Sequence, residues 1–275
     1  MGLKTFDVKY LTYGLLTLGA IACASPLVWM LSASLMPSGD ASVSPAKLLP
    51  IPMTLEHYKV LFTRMNVARY FLNSILVSSG VTIISLFINS LAGYAFAKYR
   101  FAGRDKLFTF LLASMIVPAQ VTMLPLFLMM NKMGLINTYW GILIPGIASI
   151  FGIFLIRQYA LSLPDSLIEA AKMDGAGDFE IYWRVIIPLF RPVLVTLGLF
   201  TFMGVWNDFL WPLIVMTDDS MYTLPVAVAN LMGEHAPDTE LMMAGSVVTV
   251  LPVLIVFMAV QKYYIQGIIA GSVKG

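Results

Sequence analysis

The stretch that decides the interpretation of this chain is EAAKMDGAGDFEIYWRVIIPLFRP, residues 169–192. Charged residues and glycines interrupt its apolar residues, whereas the segments before and after it consist almost wholly of apolar residues. Such a stretch in the middle of an apolar chain predicts a loop that leaves the bilayer between two membrane-spanning helices.

The composition of the chain indicates an integral membrane protein. Of its 275 residues, 59% are hydrophobic and only 12% are charged, whereas soluble domains carry about 25% charged residues. A soluble protein could not bury so much apolar surface. The net charge of +2 is too small to indicate a nucleic-acid partner, and the single cysteine, Cys23, excludes a disulfide within the chain.

Six apolar segments have about the roughly 20 residues that a spanning helix needs, or more. Their approximate bounds are 10–36, 70–97, 107–130, 140–160, 193–216 and 243–264. None of them shows the short alternating pattern of barrel strands. The predicted fold is therefore all-α, a polytopic membrane protein with six transmembrane helices in a single domain over residues 1–275.

The distribution of lysine and arginine favours a topology with both termini in the cytoplasm. With the N-terminus inside, the outer loops carry five of the 17 basic residues and the inner segments carry the other twelve. The outer loop at 37–69 holds four of those five, so it departs most from the expected excess of basic residues on the cytoplasmic side. Lys4 and Lys9 precede the first apolar segment as in a signal peptide, but the segment is long enough to span a bilayer, so we predict an uncleaved helix.

Several kinds of catalytic site are missing from the sequence. There is no G-x-x-x-x-G-K-[ST] phosphate loop, so the chain does not bind ATP through a loop of its own. No G-x-S-x-G occurs, and no group of His, Cys and Asp has metal-ligand spacing. We therefore predict a protein that is not an enzyme and that binds neither a metal nor another cofactor.

The loop at about 161–192 is predicted to contain two short helices. Ser162 is placed to cap the first helix, with Asp165 in its first turn. Gly175 and Gly177 supply a C-terminal stop and a turn.

The second helix of the loop is predicted to begin with Asp178 as its cap. Its apolar face, at spacings of three, four and seven residues, consists of Phe179, Tyr182, Trp183 and Ile186. Pro188 and Pro192 are expected to end this helix before the fifth apolar segment.

Pattern alone leaves two interpretations of this helix pair. It could lie on the inner leaflet of the membrane as an interfacial element. Alternatively, it could form a rigid knob that fits a groove on a cytoplasmic partner. The small side chains of Ala170 and Ala171 permit close approach by such a partner.

The order of residues in this loop closely resembles the EAA signature of ABC importer permeases, which reads E-A-A, three residues, G, nine residues and I-x-L-P. Here EAA at 169–171 is followed by three residues and Gly175, and nine residues separate that glycine from VIIP at 185–188. Further stretches resemble the carbohydrate branch of the type I permeases: Asn73-Ser74, AGYA at 92–95, WNDFLWPL at 206–213 and the tail GIIAGSVKG.

The resemblance implies a six-helix importer subunit in a bacterial or archaeal cytoplasmic membrane. It implies four further components: a homologous second permease, two ATPase subunits that use ATP and Mg, and an extracytoplasmic solute-binding protein. On this reading the loop seats in a cleft of the ATPase and couples it to the membrane gate. The coupling residues would be Glu169, Ala170, Ala171, Met173, Asp174, Gly175, Ala176 and Pro188.

The resemblance also implies a sugar, either a monosaccharide or an oligosaccharide, as the substrate. No Lys or Arg lies well inside a predicted span, which favours a neutral sugar. Similar permeases that take glycerol 3-phosphate or a glycerophosphodiester keep that alternative open. An ion-coupled secondary transporter is a more distant alternative, because it would need several intramembrane acids and Asp208 is the only acid inside a predicted span.

Two groups of residues are candidates for the substrate path or a gate, because polar groups at membrane depth usually face a cavity or a partner. Aromatic faces beside amide and carboxylate groups suit sugar hydroxyls, and these occur together at Trp206, Asn207, Asp208 and Trp211. Alternatively, Asn207 and Asp208 bond to helix termini or to a neighbouring helix. Pro118 and Gln120, with Pro125, are expected to break the third helix, either as a gate or as a bend in a packing helix.

Two asparagines of the second apolar segment, Asn73 and Asn89, are also polar groups at membrane depth. Side-chain amides in such positions commonly hydrogen-bond across helices. We predict that role for both, rather than contact with a ligand.

Overall fold

The computed structural model describes residues 3–43, 47–234 and 238–272, and its regular structure in these ranges is entirely helical. The helices are α1 (Leu3–Ala33), α2 (Glu56–Arg64), α3 (Val67–Lys98), α4 (Arg104–Ser114), α5 (Ala119–Lys132), α6 (Tyr139–Gly146), α7 (Ile150–Leu161), α8 (Ser166–Met173), α9 (Asp178–Ile181), α10 (Ile187–Trp206), α11 (Leu210–Val215), α12 (Leu224–Glu234) and α13 (Thr239–Ser272). A π-helical turn at Tyr182–Ile186 joins α9 to α10.

Five stretches of the described residues are long and apolar enough to cross a membrane. They are Val8–Ala33, Val67–Lys98, Tyr139–Leu161, Asp178–Trp206 and Thr239–Ala259. The helices α4 and α5 meet the same criteria only as a pair, and they make a sixth crossing if this bent pair is counted as one span. The all-α class predicted from the sequence is therefore confirmed.

The third predicted segment, 107–130, is two helices rather than one. α4 ends at Ser114 and α5 begins directly after Pro118, which has extended backbone angles of φ −59° and ψ 134°. The axes of the two helices differ by 103°, because proline cannot donate a helical hydrogen bond and disfavours helical geometry in the residue before it. The break was expected at Pro118, but Pro125 lies inside α5 and breaks nothing.

The second helix of the 161–192 loop does not end at Pro188 or Pro192, so that prediction is wrong. Helical structure continues from Asp178 to Trp206, and the fifth crossing begins inside the loop rather than at residue 193. The π-helical turn explains this, because the Ile187 amide donates to a carbonyl five residues back. The widened turn accommodates a proline directly after it.

The described residues form two compact units: one comprises Met1–Ala68 and Val228–Pro252, and the other comprises Arg69–Ala227 and Val253–Gly275. Buried polar groups hold the first unit together. The Glu240 side chain is almost fully buried and accepts a hydrogen bond of 2.6 Å from the Ala41 amide. The buried His57 has its Nε2 2.9 Å from the Met36 carbonyl oxygen. The first bond ties Ala41 to α13, and the second ties α2 to the turn that follows α1.

Among its described residues the second unit has two larger apolar cores that share α3, besides a smaller one formed by Phe96, Phe108 and Ile153. One core is built on α3, α7, the 161–192 loop and α10, and includes Tyr94, Ile156, Ile181, Tyr182, Phe190 and Leu197. The other is built on α3, α5, α6 and α11, and includes Val77, Val81, Met130, Ile142, Trp211 and Val215. α3 and α7 approach closely at Gly93, where a Cβ atom would lie 2.6 Å from Ile156 Cβ. The helix α3 therefore contacts both candidate functional regions of the chain.

Candidate functional site

The glycine turn of the 161–192 loop forms the helix stop that the sequence predicts. Gly175 follows α8 with φ of +82°, in the left-handed region. Its amide donates to the Lys172 carbonyl and the next amide, of Ala176, donates to the Ala171 carbonyl, both at 3.0 Å. This pair of bonds is the Schellman motif, which favours glycine because a side chain is strained at positive φ. Gly175 thus fixes the direction in which the chain leaves α8.

The two predicted helix caps in the loop are wrong. The Ser162 hydroxyl donates to the Tyr159 carbonyl at the end of α7, and α8 begins later, with Asp165 in the cap position. Asp178 lies inside α9, and Gly177 precedes that helix as its cap residue. Neither Asp165 nor Asp178 caps a helix with its carboxylate. Asp165 pairs with Lys98, and Asp178 pairs with Lys172. A cap and an ion pair use the same carboxylate, so sequence alone did not separate these roles.

The helix α8 is two-faced. Its outer face, called the α8 outer face below, consists of the exposed residues Leu167, Glu169, Ala170, Met173 and Asp174. Met173 is 89% exposed, an unusual position for a large apolar side chain. On the opposite face Ile168 and Ala171, together with Ala176 after the turn, pack against the core of the second unit. Of the two predicted alanines, Ala170 is thus available to a partner and Ala171 packs within the chain.

The predicted apolar face of the second loop helix is only partly buried. Tyr182 and Ile186 are buried, but Phe179 is 67% exposed and Trp183 is also exposed. The π-helical turn adds a residue per turn and so shifts the register that a 3.6-residue period assumes. Phe179 packs edge-on against Trp183 at 6.1 Å between ring centroids. The loop therefore carries exposed aromatic side chains as well as the α8 outer face.

A buried hydrogen bond holds this second arm of the loop to α3. The hydroxyl oxygen of Tyr182 lies 2.6 Å from Ser90 Oγ. The Ser90 hydroxyl donates its only proton to the Phe87 carbonyl at 2.9 Å, so Tyr182 is the donor in the pair. Both residues are at most 2% exposed.

An ion pair holds the first arm of the loop to the same helix. Lys98, the last residue of α3, has a side chain only 7% exposed. Its Nζ donates to the Leu163 carbonyl at 2.6 Å and to the Asp165 carboxylate at 2.5 Å. A buried ammonium group is costly unless it is paired and hydrogen-bonded. These contacts satisfy it and tie the end of α3 to the start of α8.

Tyr99, directly after α3, adds a neutral polar group beside the loop. Burial, the neighbouring Tyr94 and the Asp178 carboxylate raise the pKa of Tyr99. Its hydroxyl group therefore remains protonated across the physiological pH range. The Tyr94 and Tyr99 rings meet edge-on at 5.6 Å between centroids.

Sequence reasoning did not identify Ser90 and Lys98 as residues that position the loop. The sequence does indicate which side of α3 packs against protein, because polar residues recur on this helix at helical spacings and share one buried stripe. The stripe consists of Ser74, Ser78, Ser85 and Asn89, and Ser90 adjoins it. In an apolar membrane helix, such a stripe marks the side that packs against protein.

The opposite end of α3 is fixed by Asn73. Its Nδ2 donates to the Ser220 and Tyr222 carbonyls at 3.0 and 2.9 Å, and its Oδ1 accepts from the Tyr139 hydroxyl at 2.7 Å. Further along α3, Asn89 accepts a hydrogen bond of 3.0 Å from a backbone amide between α6 and α7. Both asparagines bond between helices, as predicted.

The aromatic candidates of the 206–211 segment lie inside the second unit. Trp206 is 1% exposed and packs edge-on against Phe71 and stacked on Phe202, each at 5.8 Å between ring centroids. The Trp211 indole is also buried, and its Nε1 donates to the Gly141 carbonyl at 3.0 Å. The faces of both indoles thus serve the packing of this chain.

The polar candidates of the same segment bond to nearby backbone. Asn207 is exposed at the end of α10, and its Nδ2 donates to the Met203 carbonyl at 2.9 Å. Asp208 accepts a hydrogen bond of 3.4 Å from the Trp211 amide at the start of α11. These contacts agree with the interpretation that both side chains bond to helix termini.

The remaining candidates, Pro118 and Gln120, are both exposed at the corner between α4 and α5. Three exposed apolar residues directly precede them in the chain: Met115, Ile116 and Val117. The corner is therefore an apolar surface with a single amide side chain. No group of three or more His, Cys, Asp or Glu side chains in the described ranges could hold a metal ion.

Comparison with known proteins places this architecture in a family. The chain is 36% identical over 268 residues to the arabinooligosaccharides transport system permease protein AraQ of Halalkalibacterium halodurans, covering 95% of this chain and 96% of the relative. It is 32% identical over 262 residues to the lactose transport system permease protein LacG of Rhizobium radiobacter, covering 95% of each.

A solved structure has the same fold. The crystal structure of a bacterial ABC transporter involved in the import of the acidic polysaccharide alginate contains a chain that superposes with a TM-score of 0.86 at 26% identity. The match covers 96% of this chain and 99% of the other. A family model described as "binding-protein-dependent transport system inner membrane component" matches residues 89–270, well over half of the chain. The protein therefore belongs to the family of inner membrane components of binding-protein-dependent transport systems.

Proposed function

We propose that this chain is the permease subunit of an ABC importer that carries a mono- or oligosaccharide across the cytoplasmic membrane. Separate ATPase subunits would hydrolyse ATP with Mg and dock on the 161–192 loop. A homologous second permease and an extracytoplasmic solute-binding protein would complete the transporter. Both termini and the 161–192 loop would lie on the cytoplasmic side, in agreement with the distribution of basic residues.

The observation that carries this proposal is the α8 outer face on its rigid support. Met173 and Leu167 are exposed apolar side chains beside Glu169, and Ala170 leaves room for close approach. Small and apolar groups beside the carboxylates of Glu169 and Asp174 suit a groove on a protein partner better than the water around a free loop. The remaining predicted residues shape the loop: Ala171, Gly175, Ala176 and Pro188.

The contacts behind the α8 outer face provide a route for mechanical coupling. A partner that moves α8 would move α3 through the Lys98–Asp165 ion pair and the Ser90–Tyr182 hydrogen bond. Because α3 is one unbroken helix, its far end at Asn73 would follow. Rigid helices with two stable arrangements are how such motions reach a gate. The 206–211 segment and the corner at Pro118 and Gln120 are the proposed places where the gate or substrate path is reached.

The identity of the relatives supports a sugar substrate. The names of two similar permeases refer to arabino-oligosaccharides and lactose, which are neutral sugars. A bound anion would favour a lysine or arginine well inside a span. The spans predicted from the sequence have none there, and the two arginines of the longer fifth crossing, Arg184 and Arg191, lie in its first half, before the predicted span. We therefore propose a neutral sugar rather than a phosphorylated substrate.

Uptake by proteoliposomes that contain the complete transporter tests the function. Labelled arabinotriose or lactose is supplied with the binding protein on one side, and ATP with Mg on the other. We expect sugar uptake that requires ATP hydrolysis. Uptake driven by a proton or sodium gradient without the ATPase would contradict the proposal, and uptake of glycerol 3-phosphate alone would contradict the substrate class.

The charge reversal Glu169→Lys tests the docking surface. Charge reversal in an interface costs several kcal/mol, so we expect sugar uptake to fall about tenfold or more and the ATPase to co-purify poorly. The matched control is Glu180→Lys in the same loop, which makes the same charge reversal and replaces an exposed ion pair with Arg184 by an exposed like-charge pair. Equal uptake by the two variants would show that α8 is not the docking helix.

A further inference from the structure

Two adjoining cavities lie where α3 gives way to α4. The larger has a volume of about 690 Å³ and is lined by the Lys98 end of α3, the turn after it and the first residues of α4. The smaller has a volume of about 480 Å³ and continues along α4. Asp105 and Lys106 line both cavities, so the two meet at the start of α4 and are together called the depression below.

The larger cavity has an excess of positive charge. Four basic side chains line it, against two carboxylates: Lys98, Arg100, Arg104, Lys106, Asp105 and Asp165. Lys98 pairs with Asp165, and Arg104 pairs with Asp105. Among the described residues, Arg100 and Lys106 form no ion pair, and both are exposed. Two uncompensated charges therefore face one space that could accept an anion.

The smaller cavity is an apolar groove. Beyond the two shared residues it is lined by Thr109, Phe110 and Ala113, which follow one another at helical spacing along α4. Phe110 is 70% exposed, as expected for a side chain in contact with lipid. α4 is the first helix of the bent pair, so the groove leads from the basic turn after α3 along the side of this helix.

From this arrangement we propose that the depression binds one anionic phospholipid. The headgroup phosphate lies in the larger cavity between Arg100 and Lys106, and one acyl chain lies in the groove along Phe110. Basic pockets at the ends of membrane helices are suited to anionic headgroups. A free phosphate ion would satisfy the two charges but would leave the apolar groove empty, so the combined shape favours a lipid.

The position of this site suggests what the lipid does. Lys98 and Asp165, which tie α3 to the start of α8, line the headgroup cavity. A phosphate there holds Arg100 and Lys106 together and braces the corner from which the 161–192 loop departs. This inference goes beyond the proposed function and requires only that the chain lies in a bilayer.

Native mass spectrometry of the purified complete transporter tests the binding. Phosphatidylglycerol and phosphatidylcholine with the same acyl chains are added in turn, and the bound lipid is counted. The wild type is expected to prefer phosphatidylglycerol. The double variant Arg100→Gln, Lys106→Gln is expected to bind it about thirtyfold less tightly, because each basic residue near an anionic lipid contributes about fivefold.

The matched control is the double variant Arg64→Gln, Lys132→Gln, which removes two exposed charges at other places in the chain. It is expected to bind phosphatidylglycerol as the wild type does. An equal loss in this control would overturn the proposal, since binding would then reflect the total charge alone. Absence of bound phosphatidylglycerol from the wild-type complex would overturn it as well.

Two further measurements separate a lipid from a free phosphate. Dihexanoyl phosphatidylglycerol, whose short chains fill little of the groove, is expected to bind more weakly than the dioleoyl form. Inorganic phosphate at millimolar concentration is expected not to displace the lipid. Displacement by phosphate, with no dependence on chain length, would overturn the lipid assignment in favour of an anion site. Because binding is measured without transport, these results do not depend on which substrate is imported.

Discussion

The 161–192 loop and the 206–211 segment are both polar interruptions in an apolar chain, yet their side chains are used in opposite ways. In the loop the candidate residues Glu169, Ala170 and Met173 are exposed, while buried contacts to α3 hold the backbone from behind. In the segment the aromatic candidates Trp206 and Trp211 are buried. The loop thus exposes its candidate side chains, whereas the aromatic candidates of the segment fill the interior.

This difference predicts different consequences for mutations. Substitutions on the loop should change transport and leave the fold intact, because exposed side chains contribute little to stability. Substitutions of the buried aromatics should first destabilise the fold. Measuring stability and uptake together on each variant therefore tests whether the two regions really differ in this way.

The largest effect is expected for Trp206→Ala. Its indole packs against Phe71 and Phe202 with 1% exposure, and removing a buried tryptophan typically costs about 3–5 kcal/mol. We expect a strongly lowered melting temperature of the purified protein in detergent. Trp140→Ala, at a position 57% exposed, serves as the control and should melt close to the wild type. Equal melting of the two variants would mean that Trp206 is not a packing residue.

The next effect is expected for Gly175→Asp in the loop. The glycine has φ of +82° and open space around its Cα, so the new side chain meets no neighbour but strains the backbone by roughly 1–2 kcal/mol. We expect ATP-driven uptake to fall about tenfold as α8 and α9 change their angle. The fold should survive, since the strain is local.

The control for that variant is Gly177→Asp, two residues further along. Gly177 also has open space, but its φ is −73°, which any residue can adopt. The added charge is the same and no backbone strain is introduced. If both variants lost uptake equally, the charge of the loop and not the geometry of its turn would be responsible.

The sequence predicted those features that depend on local chemistry. The apolar lengths predicted the helical crossings, and Gly175 predicted the turn, because only its own φ had to be right. Pro118 predicted the break between α4 and α5 for the same reason. The wrong predictions concern residues whose role depends on other groups nearby. Asp178 forms an ion pair instead of a cap, and a π-helical turn allows the helix to continue through Pro188.

The orientation of the membrane aromatics could not be predicted from the sequence. Lipid and protein interior are both apolar, so composition does not tell whether Trp206 faces a cavity, a neighbour or lipid. For the same reason the role of Ser90 was missed, although its neighbours on α3 form a polar stripe. Such a stripe in an apolar helix is more informative than its individual members, because each buried hydroxyl or amide needs a partner.

A double-mutant cycle on Ser90 and Tyr182 tests the support of the loop. Ser90→Ala leaves the buried Tyr182 hydroxyl without its acceptor, which costs about 1–3 kcal/mol. Removing both groups, in Ser90→Ala with Tyr182→Phe, should cost less than the sum of the single changes. Additive free energies of unfolding would show that the two hydroxyls do not interact. We also expect weaker coupling of ATP hydrolysis to uptake in the Ser90→Ala variant.

The smallest effect on stability is expected for Asn207→Ala, and this variant is the most informative about the comparison. Asn207 is the exposed polar residue of the 206–211 segment, and its side chain donates to the backbone of its own helix. The change should alter stability by no more than about 0.5 kcal/mol, as for other exposed positions.

If Asn207 lines the substrate path, the apparent KM for sugar should rise several-fold while the melting temperature stays unchanged, since a lost hydrogen bond costs about 1 kcal/mol. Asn131→Ala, also exposed but on α5, should change neither quantity. Unchanged uptake in both variants would assign the whole 206–211 segment to packing. A raised KM for Asn207→Ala alone would mean that Asn207 contacts the sugar. The segment would then resemble the loop, in which buried residues hold an exposed functional side chain in place.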